Sequence, residues 1–124
     1  MIQNSHENSK ISVFGSTGFI GSNFCKLFNN ESVQIDRSSR EPETDNILYF
    51  ISTTDNFNIF ENPKKDIETN LSLLIDILQN CKNENVVFNL VSSWYVYGET
   101  SLPAREDSLC SPKGFYSITK KCAE

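Results

Sequence analysis

Three residues in the second half of the chain have the types and spacing needed to handle a proton. Tyr116 and Lys120, in "YSITK", are four residues apart, which on a helix places both side chains on one side, one turn from each other. A free phenol has a pKa of about 10, too high for a base at neutral pH, but a neighbouring positive charge favours the phenolate. Ser93, in "VSSWYVYG", follows an apolar run, and a hydroxyl at the carboxyl end of a strand can hydrogen-bond a substrate oxygen. Taken singly, a surface tyrosine, a solvated lysine and a serine at a strand end need carry no chemistry. Tyr95 and Tyr97 read as packing residues.

A second constellation lies near the start of the chain. Gly15, Gly18 and Gly21 in "GSTGFIGS" have the spacing GxxGxxG, directly after the short strand pattern KISVF and directly before an amphipathic helix pattern. The first glycine permits a tight turn, the second lets a pyrophosphate approach the backbone, and the third lets helix and strand pack closely. Thr17, Phe19 and Ile20 complete this turn, whose free N–H groups at the helix start can receive phosphates. Asp36 follows Gly15 at close to the roughly 20-residue offset at which an acid takes the adenosine ribose hydroxyls. A carboxylate there repels a 2′-phosphate and favours NAD, whereas Arg37 and Arg40 beside it could pair with that phosphate and admit NADP. Three glycines could also shape a strand-to-helix corner with no ligand.

These residues need a scaffold, and the hydrophobic pattern describes one. After the glycine turn, Ile20, Phe24, Leu27 and Phe28 have the spacing of one buried helix face. SVQID reads as a second strand, NILYFIST as a strand covered on both faces, and NVVFNLV as a further buried strand. Asn62 and Pro63 open a helix carrying the stripe Ile67, Leu71, Leu74, Ile75 and Leu78, which should end near Lys82. Phe115 resumes a helical pattern through Ile118 and Cys122. Alternating strands and helices predict an α/β fold: a doubly wound, mainly parallel sheet whose ligand site lies beyond the carboxyl ends of its strands.

Composition narrows the function classes. A length of 124 residues supports a single core, with a polar tail over residues 1–9 and one domain over residues 10–124. The net charge of -5 argues against a nucleic-acid groove, which needs clustered Lys and Arg. The longest apolar run, residues 47–51, is too short to span a bilayer and the opening is polar, so the expectation is a cytoplasmic protein with no membrane partner. The four cysteines form no CxxC pair and the one histidine, His6, sits in the polar tail, so no metal site is expected and the thiols read as idle in a reducing compartment.

Several of these motifs in order resemble the extended short-chain dehydrogenase/reductases, the NAD-dependent epimerase/dehydratase group acting mostly on nucleotide sugars. The resemblance runs over nearly the whole chain and rests on GSTGFIGS, Asp36, Asn70 in "TNLSLL", "SSWYVYG", the loop "LPARED" with Pro112, and "FYSITK". It implies a Rossmann-like, NAD(P)-binding domain. Ser93 takes the place of the catalytic Ser or Thr three residues before the Val of the VYG motif, here Val96, Tyr97 and Gly98, while Tyr116 and Lys120 take the YxxxK positions. By this resemblance Tyr116 shuttles the substrate hydroxyl proton, Ser93 orients that hydroxyl, and Lys120 holds the nicotinamide ribose while lowering the tyrosine pKa. The three form one hydride-transfer site.

The chain also departs from that pattern. Family members carry a further strand and helix after the second strand, where this chain has only the ten residues 37–46, too few for a crossover helix. The acid that contacts adenine from that strand therefore has no counterpart. "FISTT" stands where the family has a His-Leu-Ala-Ala-like stretch, placing Ser52 and Thr53 beside the cofactor backbone. Trp94 and Tyr95 replace the Asp-Glu pair of the 4,6-dehydratases, which disfavours dehydration. The chain stops at Glu124, within a helix pattern, so it reads as an N-terminal portion without the substrate-binding lobe, and inactive alone. For the complete protein the first expectation is an NAD-dependent nucleotide-sugar epimerase, working as a homodimer. A reductase of a keto sugar or related carbonyl that consumes NADPH is the alternative, and a dinucleotide-binding protein without turnover is a third reading of another class.

Overall fold

The computed structural model describes residues 10–54 and 62–124; the polar tail with His6 lies outside the described residues. The chain divides into two units, one of residues 1–51 and 77–91, the other of residues 52–76 and 92–124.

The first unit holds a parallel sheet. Its strands are β1 (Ile11–Phe14), β2 (Ser32–Gln34), β3 (Asn46–Tyr49) and β4 (Val87–Leu90), in the order β2-β1-β3-β4. Every pairing is parallel, with Ser12 of β1 facing Val33 on one side and Ile47 on the other, and Ile47 facing Phe88. Val13, Phe14, Ile47 and Tyr49 are buried, and the Tyr49 ring lies 6.3 Å from Phe14 and 5.7 Å from Phe88 between centroids. The switch in strand order falls between β1 and β3, where ligand crevices form in open α/β sheets.

Residues 35–45 link β2 to β3 without a helix or strand. A polar pair, buried Ser12 and half-buried Thr44, anchors this link to β1. Ser12 Oγ accepts the N–H groups of Glu43 (3.0 Å) and Thr44 (2.9 Å). Thr44 Oγ1 accepts the Ser12 N–H at 3.0 Å and donates to the Asn46 carbonyl at 2.8 Å.

Two expectations for this unit are corrected. Strand β4 is not buried: it pairs with β3 alone among the described residues, and Val87 and Asn89 face solvent. Helix α1 (Phe19–Leu27) turns Gly21 and Cys25 inward, while Ile20 and Leu27 are exposed. The cause is the close approach of Gly21 to the Gly15 carbonyl, which selects the face carrying the smallest side chains.

The second unit is helical. Pro63 precedes α2 (Lys64–Ile67), which runs through a π-helical turn (Glu68–Ser72) into α3 (Leu73–Gln79), whose last residues belong to the first unit. The Asn62 side chain does not cap this helix; its carbonyl accepts the Lys65 N–H at 3.2 Å. The expected apolar stripe holds only at Leu74. Asp66 and Asn70 are buried in its place, while Ile67, Ile75 and Leu78 face solvent. A π turn inserts a residue into the helical repeat and rotates the faces that follow it.

A 3-10 turn (Trp94–Val96) and α4 (Phe115–Ala123) complete the second unit. On α4 the apolar Phe115 and Ile118 are exposed, as is Cys122, and the buried residues are Ser117, Thr119 and Lys120. Gly98, at φ 58, bridges Ser111, whose carbonyl leaves no room for a Cβ at that position. Among the described residues no helix is long and apolar enough to cross a membrane.

Candidate functional site

The glycine turn separates three structural demands. Gly15 has φ +79, and a Cβ there would lie 3.1 Å from the Ile51 nitrogen. A Cβ on Gly21 would lie 2.2 Å from the Gly15 carbonyl oxygen, so both residues are glycine for internal reasons. Gly18 differs. Its φ is -74, it stands at the N-cap of α1, and its Cβ would meet nothing nearer than that same oxygen at 3.4 Å. Thr17, Gly18, Phe19 and Ile20 are exposed, and the first-turn N–H groups of a helix have no intrahelical partner.

Asp36 lies just beyond β2 and is exposed. Its carboxylate accepts the Ser38 hydroxyl at 2.5 Å and the Ser38 N–H at 2.8 Å, and these bonds hold its pKa below the usual carboxylate value. Arg37 is exposed beside it. The Arg40 guanidinium is engaged within its own loop, donating to the carbonyls of Arg37 (3.2 Å) and Ser39 (3.0 Å).

In the second unit, α4 presents Tyr116 and Lys120 one turn apart. Lys120 is only 2% exposed. Burial pushes its ammonium pKa down, while Tyr116 and then Glu124 pull it back up. The Ser52 hydroxyl donates to the Tyr116 phenolic oxygen at 3.5 Å, and the Tyr95 ring meets the Tyr116 ring edge-on at 6.0 Å. Tyr95 packs against that ring while staying exposed, so it flanks the phenol. Tyr97 packs against Trp94 at 5.3 Å. Ser93 is half-buried and caps the 3-10 turn, its hydroxyl oxygen accepting the Tyr95 N–H at 3.3 Å. Tyr116, Lys120 and Ser52 are thus brought together, with Ser93 joined to the group through Tyr95.

Behind them lies a buried polar network. Thr53 donates its N–H to Asn70 Oδ1 at 3.0 Å and its hydroxyl to Asp66 Oδ1 at 2.5 Å. Asn70 Nδ2 donates to Thr53 Oγ1 at 3.2 Å and to Thr119 Oγ1 at 3.0 Å. Thr119 Oγ1 in turn donates to the Tyr116 carbonyl at 2.9 Å. Thr53, expected beside the cofactor backbone, has its N–H and hydroxyl engaged inside this network. Asp66 and Thr119 escaped the sequence reading, which followed apolar residues along both helices. The signal was there as Asp66 and Asn70, two hydrogen-bonding residues four apart on one helix face.

No family model matches the chain, and no curated protein does. Solved structures match it over nearly all of its length. RMD from Pseudomonas aeruginosa, complexed with NADPH, is 22% identical with a TM-score of 0.81, over 95% of this chain and 46% of that one. UDP-glucuronic acid 4-epimerase from Bacillus cereus, in complex with NAD, is 21% identical with a TM-score of 0.79, over 92% and 49%. UDP-N-acetylglucosamine 4-epimerase from Methanobrevibacter ruminantium M1, in complex with UDP-N-acetylmuramic acid, is 18% identical with a TM-score of 0.81, over 94% and 48%. The fold is Rossmann-like. The chain spans about half the length of these structures.

Proposed function

We propose that the complete protein is an NAD-dependent nucleotide-sugar epimerase in which Tyr116 is the acid/base. The observation that carries this reading is Lys120, an ammonium buried one turn from a phenol. Burying a cation is costly unless its charge acts on a partner, and Tyr116 draws the Lys120 pKa back up. Tyr116 takes the proton of a sugar hydroxyl and returns it. Ser93 orients that hydroxyl: its oxygen accepts the Tyr95 N–H, and its own proton stays available to donate. Lys120 holds the nicotinamide ribose and tunes the phenol. Bound NAD would accept the hydride and give it back, so none would be consumed.

The glycine turn fits the cofactor phosphates. Internal packing accounts for Gly15 and Gly21 but leaves Gly18 with room for a side chain, so the open space at Gly18 faces a ligand approaching the α1 N-terminus. Thr17, Phe19 and Ile20 line that approach. Asp36, held ionised by Ser38, suits ribose hydroxyls and opposes a 2′-phosphate. The neighbours bound to NAD or a UDP-sugar support the same reading.

One observation favours a second reading, an NADPH-dependent reductase of a keto sugar. Arg37 is exposed next to Asp36 and could pair with a 2′-phosphate, and RMD was solved with NADPH. In either case the complete protein is proposed to work in the cytoplasm as a homodimer. The test is Tyr116→Phe in the complete protein. Loss of turnover with NAD affinity unchanged is the expected outcome; retained turnover would remove the acid/base assignment.

A further inference from the structure

We infer that Ser52 is a further member of this site, a positioning residue whose hydroxyl donates to the Tyr116 phenolic oxygen and favours its ionised form. The Ser52 proton reaches two acceptors, the Thr53 carbonyl at 3.3 Å and the phenolic oxygen at 3.5 Å. A phenolate is the stronger acceptor, because hydrogen bonds to an ionised group are shorter and about twice as strong as neutral ones. Ionisation of Tyr116 therefore draws the Ser52 proton to it. Long bonds of this kind also tighten once a substrate is in place.

Both ends of the contact are fixed by one side chain. Asn70, 2% exposed, grips Thr53, the residue after Ser52, and Thr119, which holds the Tyr116 carbonyl. Asp66 closes the network behind Thr53. A buried network rigidifies its surroundings when every member is satisfied. An apolar stripe would hold the helix equally well but would not fix the register between residues 52–53 and α4. The groups facing the phenol are Lys120 from its own helix, Tyr95 from the 3-10 turn, and Ser52.

The inference rests on the acid/base reading of Tyr116, so its test avoids turnover. The 124-residue chain is labelled with 13C-tyrosine, and the phenol signals are followed by NMR against pH, with Tyr116→Phe identifying the relevant one. In Ser52→Ala the Tyr116 ionisation constant should fall about three- to tenfold, and Ser52→Thr, which keeps the hydroxyl, should restore it. The Tyr49 signal, pushed up to about 12 by burial, should stay in place and report an intact fold. A Tyr116 midpoint unmoved in Ser52→Ala would overturn the role of Ser52 while leaving the acid/base reading intact.

Discussion

At the scale of single residues, Lys120 shows how chemistry and stability oppose each other. Its folded pKa lies below the ordinary 10.5 because burial disfavours the charge. Between the folded value and 10.5 the unfolded chain therefore binds more protons, and stability rises with pH through that window. Lys120→Met should flatten this rise, which urea unfolding midpoints measured against pH in the two chains will show. Parallel curves would mean that burial of Lys120 carries no such penalty. The pairing of Tyr116 with Lys120 was legible in the sequence because a spacing of four has one meaning on a helix. The contact of Ser52 with Tyr116 was not, since it joins residues far apart in the chain and depends on how residues 52–53 are tethered.

At the scale of elements, the glycine turn separates folding from binding. Gly21→Ala drives a Cβ into the Gly15 carbonyl and should destabilise the chain by about 1–3 kcal/mol. Gly18→Ala meets ordinary contact and should change stability by less than about 0.5 kcal/mol while weakening NAD binding, a contrast that thermal unfolding and titration calorimetry can measure. Equal losses of stability in the two variants would contradict it. In the helical unit, Asn70→Ala leaves the buried Thr53 N–H without its acceptor and should cost about 1–3 kcal/mol by urea unfolding. The strands, the glycine turn and the absent helix over residues 37–45 could be read in advance, since run length and flanking residues decide them. The buried faces of α1, α3 and α4 could not. Periodicity locates an apolar face, but tight packing at Gly21, a π turn and a polar network put other residues inside.

At the scale of the whole molecule, the edge of the sheet matters most. Strand β4 pairs with β3 alone among the described residues and leaves Val87 54% exposed, although its apolar run reads as an interior strand. An unpaired apolar edge invites pairing with another chain, and a lysine on it opposes that. The 124-residue chain should therefore self-associate at high concentration, and Val87→Lys should shift it toward monomer in sedimentation velocity; monomer in both would remove the edge argument. The chain spans about half the length of the structures it resembles. The most direct measurement is incubation of the complete protein with a panel of nucleotide sugars, with and without NADPH, following product identity and cofactor absorbance together. The account predicts an isomerised sugar with no net change in cofactor; NADPH loss with a reduced sugar as product would contradict it and establish a reductase.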